Sequence, residues 1–424
     1  MNKMITYTTL GELIRHHRKQ AEMTLVQLAE AAKLTKGNLS KIESGQIKCP
    51  SYQTILKINS VLNLPLKEVI ERYIGIVDKT DSLFDILDDI SHNEKNIPII
   101  EKVAIKALKS PKNDSIELVE RLFQKVEGIK SSSIKLTLLK SITRFSKTHG
   151  IMPYIAKCLL KIYLIERDDF TKLRSTYDSG KVIVMEYEEF LTSEERGEMY
   201  YSFGVHAYNL YLFEESIEMC KKALNETISD RMRANTIGAV SNSYYRLGDY
   251  KRTKKYLDQY KTFSFPEVKD NVKEIEAMLH SAHGNYQQAI SLLEENLPHC
   301  GDFTLLHIVN HLIRLYLQTN NLPKIQELIE LEEKLLSIPC VTPFKKSELA
   351  LYFRLKGEYY ILIKRVEEGI NYCLESAKRY ANIDLVNKEK ESLSIIMNTQ
   401  VINKEFMASL TIEKVGNYYK KFII

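Results

Sequence analysis

The second half of this 424-residue chain repeats itself at intervals close to 36 residues, and this feature limits its possible folds more than any other. In each repeat a short turn, for example GDY, GNY or NNL, leads into an amphipathic stretch that begins at a marker residue. Self-similarity at roughly 20–50 residues is typical of stacked units that bury an apolar face only against their neighbours. The markers are Phe213, Tyr250, Tyr286, Leu322 and Val366, at spacings of 37, 36, 36 and 44 residues.

Two further positions of each unit hold mostly small residues, as expected where two helices cross closely. When a unit is counted from sixteen residues before its marker, the eighth position holds Gly204, Ser241, Ala277, Ile313 and Gly357. The twentieth position holds Ser216, Thr253, Ala289, Ile325 and Gly369. These units resemble tetratricopeptide repeats, which are helix-turn-helix pairs of about 34 residues. The pattern predicts an all-α protein in which residues 101–424 form a right-handed tetratricopeptide-like α-solenoid.

Composition agrees with a helical protein. Only 16 Gly and 10 Pro are present, too few for the frequent turns of an all-β chain. The six Cys are scattered without CxxC spacing, which indicates reduced thiols. No apolar run reaches 18 residues and no signal segment begins the sequence, so we expect a cytoplasmic protein.

The concave surface of a solenoid of this kind is formed by the first helix of each repeat, and it is the usual binding surface. Asn amides can pair with both the N–H and the C=O groups of an extended peptide, and Arg can bind a carboxylate through two parallel hydrogen bonds. A polar lining is also what any solvated groove would show. The helical register places these candidate peptide-binding residues on that surface: Glu198, Tyr201, Asn209, Arg231, Asn235, Asn242, Tyr245, Asn271, Asn310, Arg314, Arg354 and Glu358.

The first 73 residues form a separate basic unit. They carry eleven Lys and Arg against six Glu and no Asp, a net charge of +5 that equals the net charge of the whole chain. Capping boxes at Thr9 and Thr24 and an N-cap at Thr35 predict three helices in quick succession. Gly45 is placed to end the third helix, and Pro50 and Pro65 introduce two more. Two short helices joined by so few residues must cross steeply, which is helix-turn-helix geometry.

Residues 23–51, MTLVQLAEAAKLTKGNLSKIESGQIKCPS, resemble the five-helix DNA-binding domain of the lambda repressor and Cro type. The resemblance implies that the third helix enters the major groove of double-stranded DNA. A domain kept only for dimerisation or protein contacts is the alternative. Transferred to this chain, the DNA-contacting residues are Thr24, Thr35, Lys36, Asn38, Ser40 and Lys41.

A basic helix-turn-helix, a connector at residues 74–100 and a repeat array together resemble the peptide-pheromone receptors of Gram-positive bacteria, the RRNPP group. Residues 220–250 and 348–360 look most like the arbitrium receptors (AimR family) of temperate Bacillus phages. The resemblance implies a homodimer that binds a pseudo-palindromic operator and a short linear signalling peptide, in quorum sensing or a lysis-lysogeny decision. It also implies that Arg231 and Asn242 contact the peptide.

Other functions receive less support from the sequence. The chain has no P-loop, GxGxxG, GxSxG or HExxH motif, so we expect no enzyme activity and no cofactor. His307 and His311 have the helical spacing of two metal ligands, but no third ligand stands out, and we interpret His311 as a packing residue. A ligand-independent repressor and a DNA-tethered interaction scaffold remain open alternatives.

Overall fold

The structure is a computed structural model that describes residues 9–402 and 408–420. Within those residues every regular element is a helix and no strand occurs, which confirms the predicted all-α fold. The chain divides into two compact units, of which the first ends at Ile165 and the second begins at Glu166.

From residue 9 onward, where its description begins, the first unit is built from ten α-helices and one short 3₁₀ helix at Glu94–Asn96. The α-helices are α1 (Leu10–Gln20), α2 (Leu25–Ala31), α3 (Lys36–Glu43), α4 (Tyr52–Leu62), α5 (Leu66–Ile76), α6 (Thr80–Ile90), α7 (Ile97–Leu108), α8 (Ser115–Glu127), α9 (Ser132–His149) and α10 (Met152–Glu166).

The predicted caps begin the first helices as expected. Thr9 and Thr24 form complete capping boxes with Glu12 and Gln27, and the Thr35 hydroxyl accepts a backbone N–H at the start of α3. Gly45, just beyond the end of α3, has φ +76°, a left-handed conformation that glycine adopts without strain. Pro65 was expected inside α5; it precedes the helix by one residue as its N-cap.

Helices α1 and α3 approach each other closely. A side chain at Gly11 would collide with the backbone carbonyl of Ile42, so this contact requires glycine. Beside it, Arg18 donates two hydrogen bonds to the carboxylate of Glu43, at 2.7 and 2.8 Å, and a third to the carbonyl of Met23 at 2.8 Å. This buried ion pair fixes the orientation of α3 on the domain.

One hydrophobic core runs through the first unit, from Leu10 in α1 to Cys158 in α10. Helices α6 to α9 add apolar side chains to the core that α1 to α5 begin. The domain boundaries expected at residues 73 and 100 therefore stay a prediction of the sequence.

In its described residues the second unit contains fourteen α-helices and 3₁₀ helices at Phe170–Lys172 and Glu188–Phe190. The α-helices are α11 (Leu173–Met185), α12 (Ser193–Asn209), α13 (Phe213–Leu224), α14 (Asp230–Arg246), α15 (Tyr250–Tyr260), α16 (Pro266–Ala282), α17 (Tyr286–Asn296), α18 (Asp302–Gln318), α19 (Leu322–Ile329), α20 (Glu332–Ser337), α21 (Pro343–Leu362), α22 (Val366–Ala381), α23 (Val386–Ile402) and α24 (Ala408–Lys420).

Each of the five sequence markers is the first residue of the second helix of a pair, in α13, α15, α17, α19 and α22. The same turn precedes every marker, because the residue two positions earlier has a positive φ each time. Those residues are Tyr211 (62°), Gly248 (77°), Gly284 (80°), Asn320 (55°) and Lys364 (67°). The longer final spacing contains the extra helix α20.

Small residues lie where the paired helices touch, as the sequence predicts. A Cβ at Gly357 of α21 would be 2.8 Å from the carbonyl oxygen of Gly369 in α22, and a Cβ at Gly369 would be 2.7 Å from that of Gly357. In the α14–α15 pair, the Ser241 hydroxyl donates to the carbonyl of Thr253 at 3.1 Å.

The second unit closes on itself, so that its first repeat touches its last. At the end of α12, the ring of Tyr208 packs on Phe344 with centroids 5.5 Å apart, and Tyr211 and Ser347 share a hydrogen bond of 2.8 Å. Further along this seam, the backbone N–H of Arg174 donates to Asp384 at 2.8 Å. Among the described residues no helix is both long and apolar enough to cross a membrane.

Candidate functional site

The exposed face of α3 is the first candidate site. Four polar residues of α3 are exposed: Lys36, Asn38, Ser40 and Lys41. Leu39 and Ile42 are buried. The Thr35 hydroxyl accepts the N–H of Asn38 at 3.2 Å, which keeps the first turn of α3 regular.

Thr24 and Thr35 mark the exposed starts of α2 and α3, where unpaired backbone N–H groups give a partial positive charge. The one acidic side chain of α3 is Glu43, and Arg18 neutralises it. The face therefore presents two lysines, an amide and hydroxyls, which is the chemistry that reads base edges and phosphates.

The second candidate site is a cavity of about 760 Å³ inside the second unit. Its wall comes from the first helix of all five repeats, α12, α14, α16, α18 and α21, as the sequence predicts for a concave surface. Nine of the twelve predicted peptide-binding residues line it: Tyr201, Asn209, Arg231, Asn235, Asn242, Tyr245, Asn271, Asn310 and Arg314.

The other three residues, Glu198, Arg354 and Glu358, do not line this cavity. Arg354 donates to Glu391 at 2.6 Å and lies 3.6 Å from Glu358, so these two side chains belong to an ion-pair cluster on α21 and α23. Arg354 and Glu358 lie outside the cavity because α21 is a long helix that begins soon after α20. Its N-terminal half forms the cavity wall, through Phe344, Glu348 and Leu351.

Several of the predicted side chains already hold each other in place. Arg231 donates to Glu267 at 2.5 Å, so the carboxylate that was expected from a ligand comes from the protein itself. The amide of Asn271 donates to the hydroxyl of Tyr260 at 3.1 Å. These contacts fix the orientation of polar groups along the wall before any ligand binds.

The sequence did not single out Glu348 or Phe344, and it assigned His311 to packing. The structure places all three in the cavity wall. His307 stacks on Phe344 with ring centroids 4.6 Å apart, and its Nδ1 lies 3.3 Å from the Glu348 carboxylate. Glu348 follows Phe344 by one helical turn, so both lie on the same face of α21. The sequence alone does not show that this face points into the cavity, because that depends on where α21 begins.

Glu348 is the centre of a buried polar cluster. The amide of Asn310 donates to its carbonyl at 2.8 Å and to its carboxylate at 2.9 Å. Burial alone would lower the pKa of His307. Attraction from the Glu348 carboxylate and a hydrogen bond to it outweigh burial, so the pKa of His307 is raised. Burial would raise the pKa of Glu348, but His307, Arg246 and Asn310 together lower it. Both shifts favour the charged forms, the imidazolium of His307 and the carboxylate of Glu348.

Arg246 and Arg314 form a positively charged part of the cavity, and His311 lies in the same wall. Burial, followed by repulsion from Arg314 and Arg246, lowers the pKa of His311 to about 3, so its imidazole is neutral. Burial and then repulsion from Arg246 lower the pKa of Arg314. Both guanidinium groups nevertheless remain accessible from the cavity.

A metal centre has no support in the part of the chain that the structure describes. No group of three or more His, Cys, Asp or Glu side chains is close enough there to hold a metal ion. His307 and His311 share the cavity wall, but His307 is directed at Glu348.

The two units define a protein with a helix-turn-helix DNA-binding domain and a helical-repeat unit that encloses a polar groove. Residues 14–69 match the helix-turn-helix family model (HTH_3), so this part of the chain is a helix-turn-helix domain. No curated protein matches the chain at a significant level.

The solved structures that the chain matches share little sequence with it. A STAND protein with a tetratricopeptide repeat sensor from Pyrococcus horikoshii is 12% identical with a TM-score of 0.45; the match covers 98% of this chain but only 65% of the other. A Rap protein complexed with Competence and Sporulation Factor is 9% identical (TM-score 0.37, coverage 80% and 98%). Bacillus thuringiensis PlcR in complex with the peptide PapR7 and DNA is 15% identical (TM-score 0.26, coverage 91% and 99%). All three TM-scores are below 0.5, so no residue role is transferred from these structures.

Proposed function

We propose that this protein is a transcription regulator whose binding to operator DNA is controlled by a short peptide held in the repeat groove. One observation carries the proposal: nine polar residues chosen from helical register alone line a single cavity. Five of them are asparagines, whose amides can pair with the backbone of an extended peptide. A binding role fits a wall of amides and paired charges better than catalysis does.

The proposal includes a homodimer on a pseudo-palindromic operator. Two recognition helices would then be spaced by about 34–36 Å, one turn of B-DNA. A peptide that prefers one curvature of the repeat unit shifts the equilibrium between DNA-binding and non-binding dimers. A coupling free energy of about 1–3 kcal/mol changes operator affinity by 5–150-fold.

This function is that of the RRNPP group, which the sequence resembles. The similarity of residues 220–250 and 348–360 to arbitrium receptors makes the specific form of the proposal a phage or prophage regulator of lysis and lysogeny. A short adjacent reading frame that encodes a secreted peptide of about 40 residues is expected, since the peptide must be exported and taken up again.

The DNA half of the proposal is tested with genomic fragments retained by the full-length protein at a fixed salt concentration of about 150 mM, because phosphate contacts make affinity strongly salt-dependent. On an enriched site, Lys36→Ala and Asn38→Ala should each cost about 1–3 kcal/mol. Lys57→Ala is the matched control, an exposed lysine on α4. Unchanged affinity in both α3 variants would refute the assignment of α3 as recognition helix.

The peptide half is tested on the same operator with candidate peptides. Asn235→Ala and Asn242→Ala should abolish the change in operator affinity caused by the peptide and leave peptide-free DNA binding intact, because both residues line the cavity. Asn285→Ala, in an exposed turn, is the control and should respond as the wild type does. Operator binding that no peptide alters would favour the ligand-independent repressor.

A further inference from the structure

Two arginines in the groove form no ion pair in the described part of the chain, although Glu348 attracts both at longer range. Arg246 on α14 and Arg314 on α18 both line the cavity, and in the described part of the chain neither forms an ion pair with a carboxylate. Tyr208 lies beside Arg246 in the wall and favours its charged form. Both side chains are accessible, so their guanidinium groups face the space that a ligand would occupy.

Among the carboxylates of the cavity, Glu274 attracts Arg246 without an ion pair, and two others have closer partners. Glu267 accepts from Arg231 at 2.5 Å, and Glu348 is bound by His307 at 3.3 Å and by Asn310 at 2.9 Å. Two like charges in a poorly solvated cavity repel each other, and an anion placed between them removes that repulsion.

We propose that Arg246 and Arg314 form a subsite for a single carboxylate group of the bound peptide. This inference is based on the proposed peptide-binding function and differs from the sequence prediction, in which Arg231 held the carboxylate. Planar guanidinium groups match a carboxylate through paired hydrogen bonds. The neighbouring amide of Asn310 has a buried Oδ1 with no hydrogen-bond partner in the described chain, an acceptor for a peptide N–H close to the same helix face.

The charge balance of the wall favours a monoanion over a phosphate. Glu274 and Glu348 line the same cavity as the two arginines, and their carboxylates would repel a doubly charged group. A carboxylate can come from the C-terminus of the peptide or from an Asp or Glu side chain, and the experiment must separate these two sources.

The first test uses a small probe and the full-length protein. N-acetylalanine as the free acid should raise the Tm of the wild type by about 2–4 °C at saturating concentration, and N-acetylalanine amide should not. Arg246→Gln and Arg314→Gln should lose this shift, and circular dichroism should show that both variants remain folded. Arg252→Gln is the matched control, an exposed arginine 3.2 Å from Asp249. Equal shifts with acid and amide, or a full shift in Arg314→Gln, would overturn the subsite.

The second test uses pools of random six-residue peptides and fluorescence polarisation. Pools with a free C-terminus should bind at least tenfold more tightly than amidated pools if the C-terminus supplies the carboxylate. If a side chain supplies it, replacing Asp and Glu by Asn and Gln should have that effect instead. Binding that depends on neither carboxylate refutes the subsite but keeps the peptide function. Binding of the acid probe without binding of any peptide refutes the peptide function and, with it, the role proposed for the subsite.

Discussion

The close contact between α21 and α22 allows a quantitative test of the repeat packing. In Gly357→Ala the new Cβ would lie 2.6 Å from the sulfur of Cys373 and 2.8 Å from the carbonyl oxygen of Gly369. Ordinary contacts of this kind are about 3.4 Å or longer, so the two helices must separate by about 0.6 Å. The nearest backbone oxygen cannot rotate away as a side chain would, and overpacking of this kind costs about 1–3 kcal/mol or more.

Helix propensity acts in the opposite direction. Alanine in a helix interior is about 1 kcal/mol more favourable than glycine. Because the clash is with rigid backbone, the packing cost lies in the upper part of that range, about 2–3 kcal/mol. We therefore expect Gly357→Ala to lose about 1–2 kcal/mol net, a decrease of about 3–6 °C in the Tm of the repeat unit. Circular dichroism on thermal unfolding measures this directly. Gly75→Ala in α5 is the control, because a Cβ there meets no described atom within 4 Å. A Gly357→Ala variant as stable as the wild type would refute the argument that backbone contact requires this glycine.

Three further variants test separate parts of the structure. Glu43→Ala should destabilise the protein by about 3–5 kcal/mol in urea unfolding, since it leaves the buried guanidinium of Arg18 without its charge partner; the double variant Arg18→Met/Glu43→Leu should lose much less, and additive losses would contradict this. Burial lowers the pKa of His206 to about 4, so the unfolded chain binds more protons below pH 6.5 and stability falls as the pH falls. His206→Gln should remove about 1 kcal/mol of that loss at pH 5.5, and parallel Tm–pH curves for variant and wild type would count against it. Lys364→Gly should raise the Tm by about 1–2 °C, because its φ of 67° is costly for a residue with a side chain; a lower Tm would show that backbone entropy outweighs this strain.

The helix caps and repeat phase were accessible from sequence because they depend on near neighbours along the chain. Thr24 caps α2 through a residue three positions away. The turn before Tyr250 needs only a glycine that tolerates positive φ. The same locality explains why exposed Lys36 and Asn38 could be predicted: the buried positions of one short helix determine which face remains outside.

Apart from Glu198 in the first repeat, the lining of the groove was predicted where the repeat interval is regular and missed where it is not. Asn235 and Asn271 follow from the register of α14 and α16, because equal spacing turns the same positions inward. In the last repeat α20 intervenes and α21 is longer, so the inward face moves from Arg354 and Glu358 to Glu348. The repeat interval in the sequence does not predict this change of inward face.

The all-α class, the helix-turn-helix and the repeat phase could be predicted from the sequence alone. Each depends on hydrophobic period, caps and small residues a few positions apart. Which charged side chains form ion pairs depends on the tertiary structure. Arg231 faces Glu267 and Glu348 is bound by His307, while Arg246 and Arg314 form no ion pair in the described chain. Those pairings join residues about 36 or more positions apart, and they depend on how the helices stack around the cavity rather than on any local pattern.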